Sequence, residues 1–277
     1  MTSVPQLLLN NGRTIPQLGF GVFQIEPAAT KAAVLAALEV GYRHIDTAQM
    51  YGNEREVGAA IAESGIAREE IFVTSKLNNN AHASDAARAA TARSVEALGG
   101  PMDLYLVHWP MPRFDDYVDT WRLMEEFAAA GATRSIGVSN FQIPHLERIL
   151  AETSTVPAVN QIEVHPYLRQ DRLRAFDTEH QILTQAWSPI SQGQVLDDPV
   201  LLALAAETGR TVAQVVLRWH IQRGDIVFPK SVDPVRMAEN FDIFDFQLTD
   251  HQMSLIDGLN KDRRRGPDPD EFHWIPD

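Results

Sequence analysis

Residues 71–109, IFVTSKLNNNAHASDAARAATARSVEALGGPMDLYLVHW, decide the fold. Two apolar, β-branched runs, IFVTSK (71–76) and DLYLVHW (103–109), flank DAARAATARSVEAL (85–98), where small and apolar residues recur at three- and four-residue spacing. This reads as strand, helix, strand. Strands that are apolar on both faces and joined through a helix lie parallel in a covered sheet. The unit recurs along the chain. YRHID (42–46), RSIGVSN (134–140), PAVNQIE (157–163), QILTQAW (181–187) and DIVFPK (225–230) are runs of the same kind, and QLGFGVFQ (17–24) supplies a first strand. Amphipathic segments such as 29–40, 53–64 and 115–131 separate them. Eight such strands in a chain of 277 residues predict an α/β fold, a (β/α)8 barrel, rather than an open doubly wound sheet. QLLLNNGRTIPQL (6–18) predicts a β-hairpin turning on Asn11-Gly12 ahead of the barrel. No low-complexity linker interrupts the chain, so residues 1–277 are expected to form one domain.

Composition narrows the function. The net charge of -13 argues against a nucleic-acid surface. No apolar run approaches the ~20 residues of a membrane span. The first residues, MTSVPQLLLNNG, have no basic leader, so no secretion signal is expected. The absence of cysteine removes disulfides, thiolate nucleophiles and thiolate-bound zinc together, and fits a cytoplasmic protein.

Barrel active sites lie at the C-terminal strand ends. Those ends carry Asp46, Lys76, His108, Ser139 with Asn140, Gln161, Trp187 and Lys230. Three consecutive units therefore aim an ionisable side chain at one mouth, and Tyr51 follows Asp46 on the loop beyond. A phenol releases its proton only near pH ~10, too reluctantly for work near neutrality unless a cation lowers that value. Lys76 is the expected cation, Asp46 holds it charged and oriented, and His108 fixes the group being protonated. His44 shares strand parity with Asp46 and reads as core. The set suits protonation of a carbonyl oxygen. With no cysteine and no apparent metal cluster, no metal is expected and the attacking group is expected from a cofactor.

Gly19 and Gly21 lack a third glycine at dinucleotide spacing, so the Rossmann fingerprint is absent. FPKSVDPVRMAEN (228–240) is the better cofactor signal: Asp233 as helix cap, Pro234 at the first helical position, and Lys230 and Arg236 flanking the helix start. Such a start binds phosphate, although an ordinary capped helix with solvated charges reads the same way. Trp187 offers a flat face to an aromatic ring.

GYRHIDTAQMYGNE (41–54), LYLVHWP (104–110), GVSNF (137–141), NQIEVHP (160–166) and FPKSVDPVRMAEN resemble, in this order, the signature segments of the aldo-keto reductases. The detailed likeness is to the bacterial 2,5-diketo-D-gluconic acid reductase group. The resemblance implies a barrel that binds NADPH in extended form. It also implies a catalytic tetrad of Asp46, Tyr51, Lys76 and His108, with Tyr51 as general acid. In that family Ser139, Asn140 and Gln161 hold the nicotinamide carboxamide and Trp187 stacks on its ring. The loop SPISQG, with Ser188 and Ser191, lies over the pyrophosphate. Lys230, Ser231 and Arg236 grip the 2′-phosphate, with Val232 in the same stretch, and Glu239 and Asn240 lie near the adenine. Two positions depart from the pattern. Asn78 stands where relatives carry a pocket tryptophan, and Asp233 opposes the cations around the 2′-phosphate, leaving NADH as a weaker alternative. Phe23, Gln49, Met50, Asn78, Trp109 and the tail EFHWIPD (271–277), with Trp274, are the expected substrate pocket, the tail lying over the barrel mouth.

These readings converge on NADPH-dependent reduction of small aldehydes, ketones or dicarbonyls by a monomer, with no nucleic-acid or membrane partner. Two rivals are a Schiff-base lyase using Lys76 and a cofactor-binding regulatory barrel with little turnover.

Overall fold

The computed structural model describes residues 4–275. Strands β1 (Gln6–Leu8) and β2 (Thr14–Pro16) pair antiparallel with Leu8 opposite Thr14, forming the expected hairpin. Gly12 takes φ 83° in its turn, a conformation that costs glycine little.

Eight parallel strands follow: β3 (Phe20–Gly21), β4 (His44–Asp46), β5 (Phe72–Leu77), β6 (Leu104–Val107), β7 (Ile136–Ser139), β8 (Val159–Glu163), β9 (Leu183–Trp187) and β10 (Ile226–Val227). They neighbour one another in chain order. Helices α1 (Pro27–Val40), α2 (Glu54–Glu63), α3 (Ser84–Leu98), α4 (Tyr117–Ala129), α5 (Ile143–Glu152) and α6 (Asp171–Glu179) cross over between successive strands. Helices α7 (Pro199–Thr208) and α8 (Val212–Gln222) fill the last crossover, and α9 (Pro234–Phe241) and α10 (Asp250–Asp257) come after β10. A parallel bridge between Leu18 and Val227 closes the barrel, with Gly19 N–H on the Val227 carbonyl at 2.8 Å. The seam strands are shorter than the runs that predicted them. Residues 17–22 bond first to Val227 and then to Asp46, and Pro229 brings no N–H to continue β10. No single described helix is long and apolar enough to cross a membrane.

Alternation along the strands sorts the core. Phe72, Leu104, Leu106, Val159, Ile226 and Phe228 pack in the barrel with Leu9 and Ile15 of the hairpin, which plugs its lower end. Gly137 makes room there, since a Cβ would lie 2.8 Å from both Leu106 and Val159. His44 is buried as expected, with Nε2 3.0 Å from Thr74 Oγ1, and burial holds its imidazole down at about 4. A larger cluster between strands and helices includes Trp121, Trp219, Leu38 and Phe141.

After α10 the chain runs across the barrel mouth. Arg265 and Gly266 N–H groups reach the Glu163 carboxylate, the Phe272 ring lies 4.2 Å from that of Trp109, and Asn79 Nδ2 donates to the Trp274 carbonyl at 3.1 Å. The tail thus covers the mouth as far as Ile275; Pro276 and Asp277 lie outside the described residues.

Asp177 on α6 carries a stability consequence. Its carboxyl is buried against the Asn160 amide and the Thr184 hydroxyl, and burial pushes it up to about 8 from 3.8. The folded chain therefore keeps a proton that the unfolded chain has released, and this group's contribution to stability falls as pH rises between those values. Relative to wild type, the urea midpoint of Asp177→Asn should improve progressively from about pH 5 to about pH 8 and then level off. A difference independent of pH would refute the assignment.

Candidate active site

The β4, β5 and β6 ends bring Asp46, Lys76 and His108 to one wall of the mouth, and a single helical turn, Gln49–Tyr51, brings the phenol above them. Lys76 is fully buried. Its ammonium lies 2.7 Å from Asp46 Oδ1, 3.0 Å from the Thr47 carbonyl and 3.3 Å from Tyr51 Oη. Burial alone would favour the neutral amine. The Asp46 carboxylate and the Tyr51 oxygen outweigh it and raise the ammonium above its ordinary value. All three donor directions of Lys76 have acceptors, so the amine lone pair that a Schiff-base lyase needs is not on offer.

Tyr51 differs from expectation. Lys76 does pull the phenol down, but desolvation is larger, and the net shift is upward from 10.0. Phe23 and His108 flank the half-buried ring, at 5.0 Å and 5.9 Å between centroids. Tyr51 therefore stays protonated at neutral pH. His108 is held well below its ordinary value by desolvation, with Lys76 and His82 adding to the effect, so its imidazole is neutral. Its Nδ1 is buried without a hydrogen-bond partner among the described residues. An orphaned N–H costs more than an orphaned lone pair, which assigns the proton to Nε2.

The opposite wall comes from β7 to β9. Ser139 Oγ donates to the Gln161 carbonyl at 2.9 Å, and Asn140 Nδ2 to the His108 carbonyl at 3.1 Å. Gln161 Nε2 donates to Asp46 Oδ2 at 2.8 Å and to Gln185 Oε1 at 3.0 Å, so its NH2 is committed to the protein and its oxygen is the group left to meet a ligand. Trp187 Nε1 donates to Asn140 Oδ1 at 2.8 Å. Asn140, Ser188 and Ser191 adopt φ of 64°, 50° and 50°, a left-handed conformation that non-glycine residues take mainly where the surroundings demand it. The Ser191 hydroxyl is buried without a partner among the described residues, a site prepared for an acceptor or donor from outside the chain.

At α9, Asp233 Oδ1 caps the helix through Val235 N–H at 2.9 Å, while Oδ2 lies 3.7 Å from Arg236 Nε. Ser231 Oγ accepts from Asp233 N–H, Lys230, Val232 and Glu239 are exposed, and Asn240 is buried. The cap is thus formed, and Lys230 and Arg236 are exposed at the helix start.

The pocket residues fare unevenly. Phe23 and Trp109 sit beside Tyr51 and Phe272 respectively, and Met50 is half-buried in the Tyr51 turn. The Trp274 side chain is 54% exposed, and its carbonyl makes the contact with Asn79. Asn78 Oδ1 caps the next turn by accepting from Asn79 N–H. Gln49 points elsewhere: its NH2 meets the Ala90 carbonyl, Ser94 Oγ and Tyr105 Oη, and its oxygen accepts from Asn78 N–H. It is a strut beneath the loop rather than a group presented to a ligand. Sequence reading passed over Gln185 and Glu163. Both share period-two parity with Trp187 and Gln161, the signal by which they were findable.

A parallel barrel whose mouth joins a buried lysine–carboxylate pair to a phenol and a neutral imidazole belongs to the barrel oxidoreductases that work without a Rossmann domain. The chain is a member of the Aldo/keto reductase family, whose model matches residues 17–261. It is 50% identical over 271 residues to an aldo-keto reductase of Mycolicibacterium smegmatis, covering 98% of each chain. It is 46% identical over 275 residues to the methylglyoxal reductase DkgA of Escherichia coli, covering 98% of this chain and 99% of that one. Among solved structures, an NADPH complex of a Gox0644 variant superposes with a TM-score of 0.94 at 43% identity, covering 98% of this chain and 99% of that one.

The neutral imidazole is directly measurable. In 15N-resolved NMR spectra, His108 should show the Nε2–H tautomer and stay neutral at pH 7, its imidazole being held well below its ordinary value by desolvation. An imidazolium signal from this residue near neutrality would overturn the assignment.

Proposed function

We propose that this chain reduces small aldehydes, ketones and dicarbonyls with NADPH, Tyr51 acting as general acid. The observation that carries this reading is the chain of contacts from Asp46 through the buried Lys76 ammonium to Tyr51 Oη, at 2.7 and 3.3 Å. When bound, NADPH supplies the hydride that the carbonyl carbon accepts. The protein's part is the proton and the orientation. His108 Nε2–H directs the carbonyl oxygen toward Tyr51, and Tyr51 Oη gives that oxygen its proton. Lys76 steadies the phenolate left behind, and Asp46 with Thr47 keeps Lys76 from turning away. In alcohol oxidation the same groups run in reverse.

Ser139, Asn140 and the free oxygen of Gln161 are the groups offered to the nicotinamide carboxamide, and Trp187 its stacking face. The unpartnered Ser191 hydroxyl fits the pyrophosphate. Ser231, Lys230 and Arg236 fit the 2′-phosphate, with Asn240 and Glu239 toward the adenine. Asp233 has one oxygen on the helix cap and the other toward Arg236. Its charge opposes the 2′-phosphate and softens the preference for NADPH over NADH. Methylglyoxal is named for the Escherichia coli relative, and a short dicarbonyl suits a mouth roofed by Phe272 on Trp109.

The test is NADPH oxidation with methylglyoxal, phenylglyoxal, a diketo sugar acid and a plain aldehyde. Tyr51→Phe keeps the ring and should lower kcat by about 100-fold or more. Lys76→Met should lower it comparably while leaving NADPH binding in place. Wild-type protein that binds NADPH but reduces none of the panel would move the regulatory reading ahead.

A further inference from the structure

Glu163 ends β8 with a fully buried side chain, in register with Trp187 on β9 and one inward layer above Gln161 and Gln185. It belongs to neither the tetrad nor the expected cofactor set. Its Oε1 accepts from Arg265 N–H at 2.6 Å and lies 3.0 Å from His165 Nε2, while Oε2 accepts from Gly266 N–H at 3.0 Å. We propose that Glu163 is a positioning residue for the substrate: it clasps the tail at Arg265–Gly266 beside Trp187 and thereby holds Phe272 and residues after it as the roof of the pocket.

Three features point to this rather than to a generic buried contact. First, backbone N–H groups on a carboxylate are charge-assisted and geometrically demanding, so the clasp fixes one point of an otherwise irregular segment closely. Second, that point is where the tail meets the site. Gly266 lies so close to Trp187 that a Cβ would come within 2.5 Å of the indole Cη2, and the indole in turn donates to Asn140. Third, the contacts beyond the clasp are weaker: Asp270 lies 3.5 Å from His145 Nε2, Phe272 packs at a tilt against Trp109, and the Trp274 carbonyl meets Asn79. Upstream, the Lys261 and Arg263 N–H groups reach the Tyr167 carbonyl at 3.1 Å, so Glu163 is the next tether before the roof. Gln170 supports the same geometry, with its amide donating to the Glu163 carbonyl at 2.9 Å.

The kinetic part of this proposal rests on the reductase reading, and the structural part does not. The exposed Arg263 and Arg265, with Arg264 between them, place trypsin sites at the clasp itself. In full-length Glu163→Gln, which keeps the shape and loses one acceptor, tryptic cleavage at residues 263–265 should quicken by about tenfold. The KM for the best carbonyl of the panel should rise about fivefold or more, with kcat and the NADPH dissociation constant within about twofold of wild type. Phe272→Ala should raise KM similarly without altering cleavage, and the double variant should be no worse than Phe272→Ala alone, since both act through one roof. Wild-type cleavage in Glu163→Gln, additive KM effects, or a change confined to NADPH affinity would each overturn the proposal. Should Glu163→Gln fail to fold, an unchanged KM in Phe272→Ala overturns it independently. If no carbonyl is reduced by wild type, the reductase reading fails while cleavage still decides the clasp.

Discussion

A lysine ammonium with no solvent contact is the constraint on which the site depends. Water is lost to Lys76, and Asp46, the Thr47 carbonyl and Tyr51 replace it. Leaving such a charge unpaired costs about 3–5 kcal/mol, so the partners must be placed before the site is stable at all. Asp46 is held in turn by Gln161, and Gln161 by Gln185, which carries the constraint across the barrel from β4 to β8 and β9. The Tyr51 phenol and the expected carboxamide wall are therefore joined by one chain of hydrogen bonds, from Tyr51 through Lys76 and Asp46 to Gln161.

The barrel holds that chain of contacts in place. Parallel pairing sets side chains of alternate residues into layers, and the lower layers, filled from Leu9 and Ile15 upward to Leu106 and Val159, are mainly apolar apart from the His44–Thr74 pair, so the reactive side chains gather near the mouth. Function then sits where the layers stop. Loops and tail add what the strands lack: the phenol arrives on a one-turn helix, the Ser188–Gly193 loop accepts left-handed backbone, and the tail is brought in from α10.

Legibility followed locality. Asp46, Lys76 and His108 were readable because each ends a run with the same pattern, one βα unit apart, and Asp233 and Pro234 because caps are chemistry between near neighbours. Gln49 was misread because a loop has no alternation to say which way a side chain faces; it turned inward to Ser94 and Tyr105. Glu163 and Gln185 stood in plain alternation with lining residues, yet polar residues on a strand do not declare their partners. The tail partners of Glu163, Arg265 and Gly266, are 102 and 103 residues away in the chain.

The sequence by itself determined the strand and helix periods, their order, the hairpin turn and the set of reactive side chains at the strand ends, because all of these arise from residues close together in the chain. Tertiary structure alone decided the outcome of opposed terms. Whether Lys76 lowers the Tyr51 phenol more than burial raises it depends on how much water the packed mouth removes from the ring. Where the tail comes to rest depends on a carboxylate on β8. Desolvation and long-range hydrogen bonds are properties of the packed volume, and spacing along a chain does not carry them.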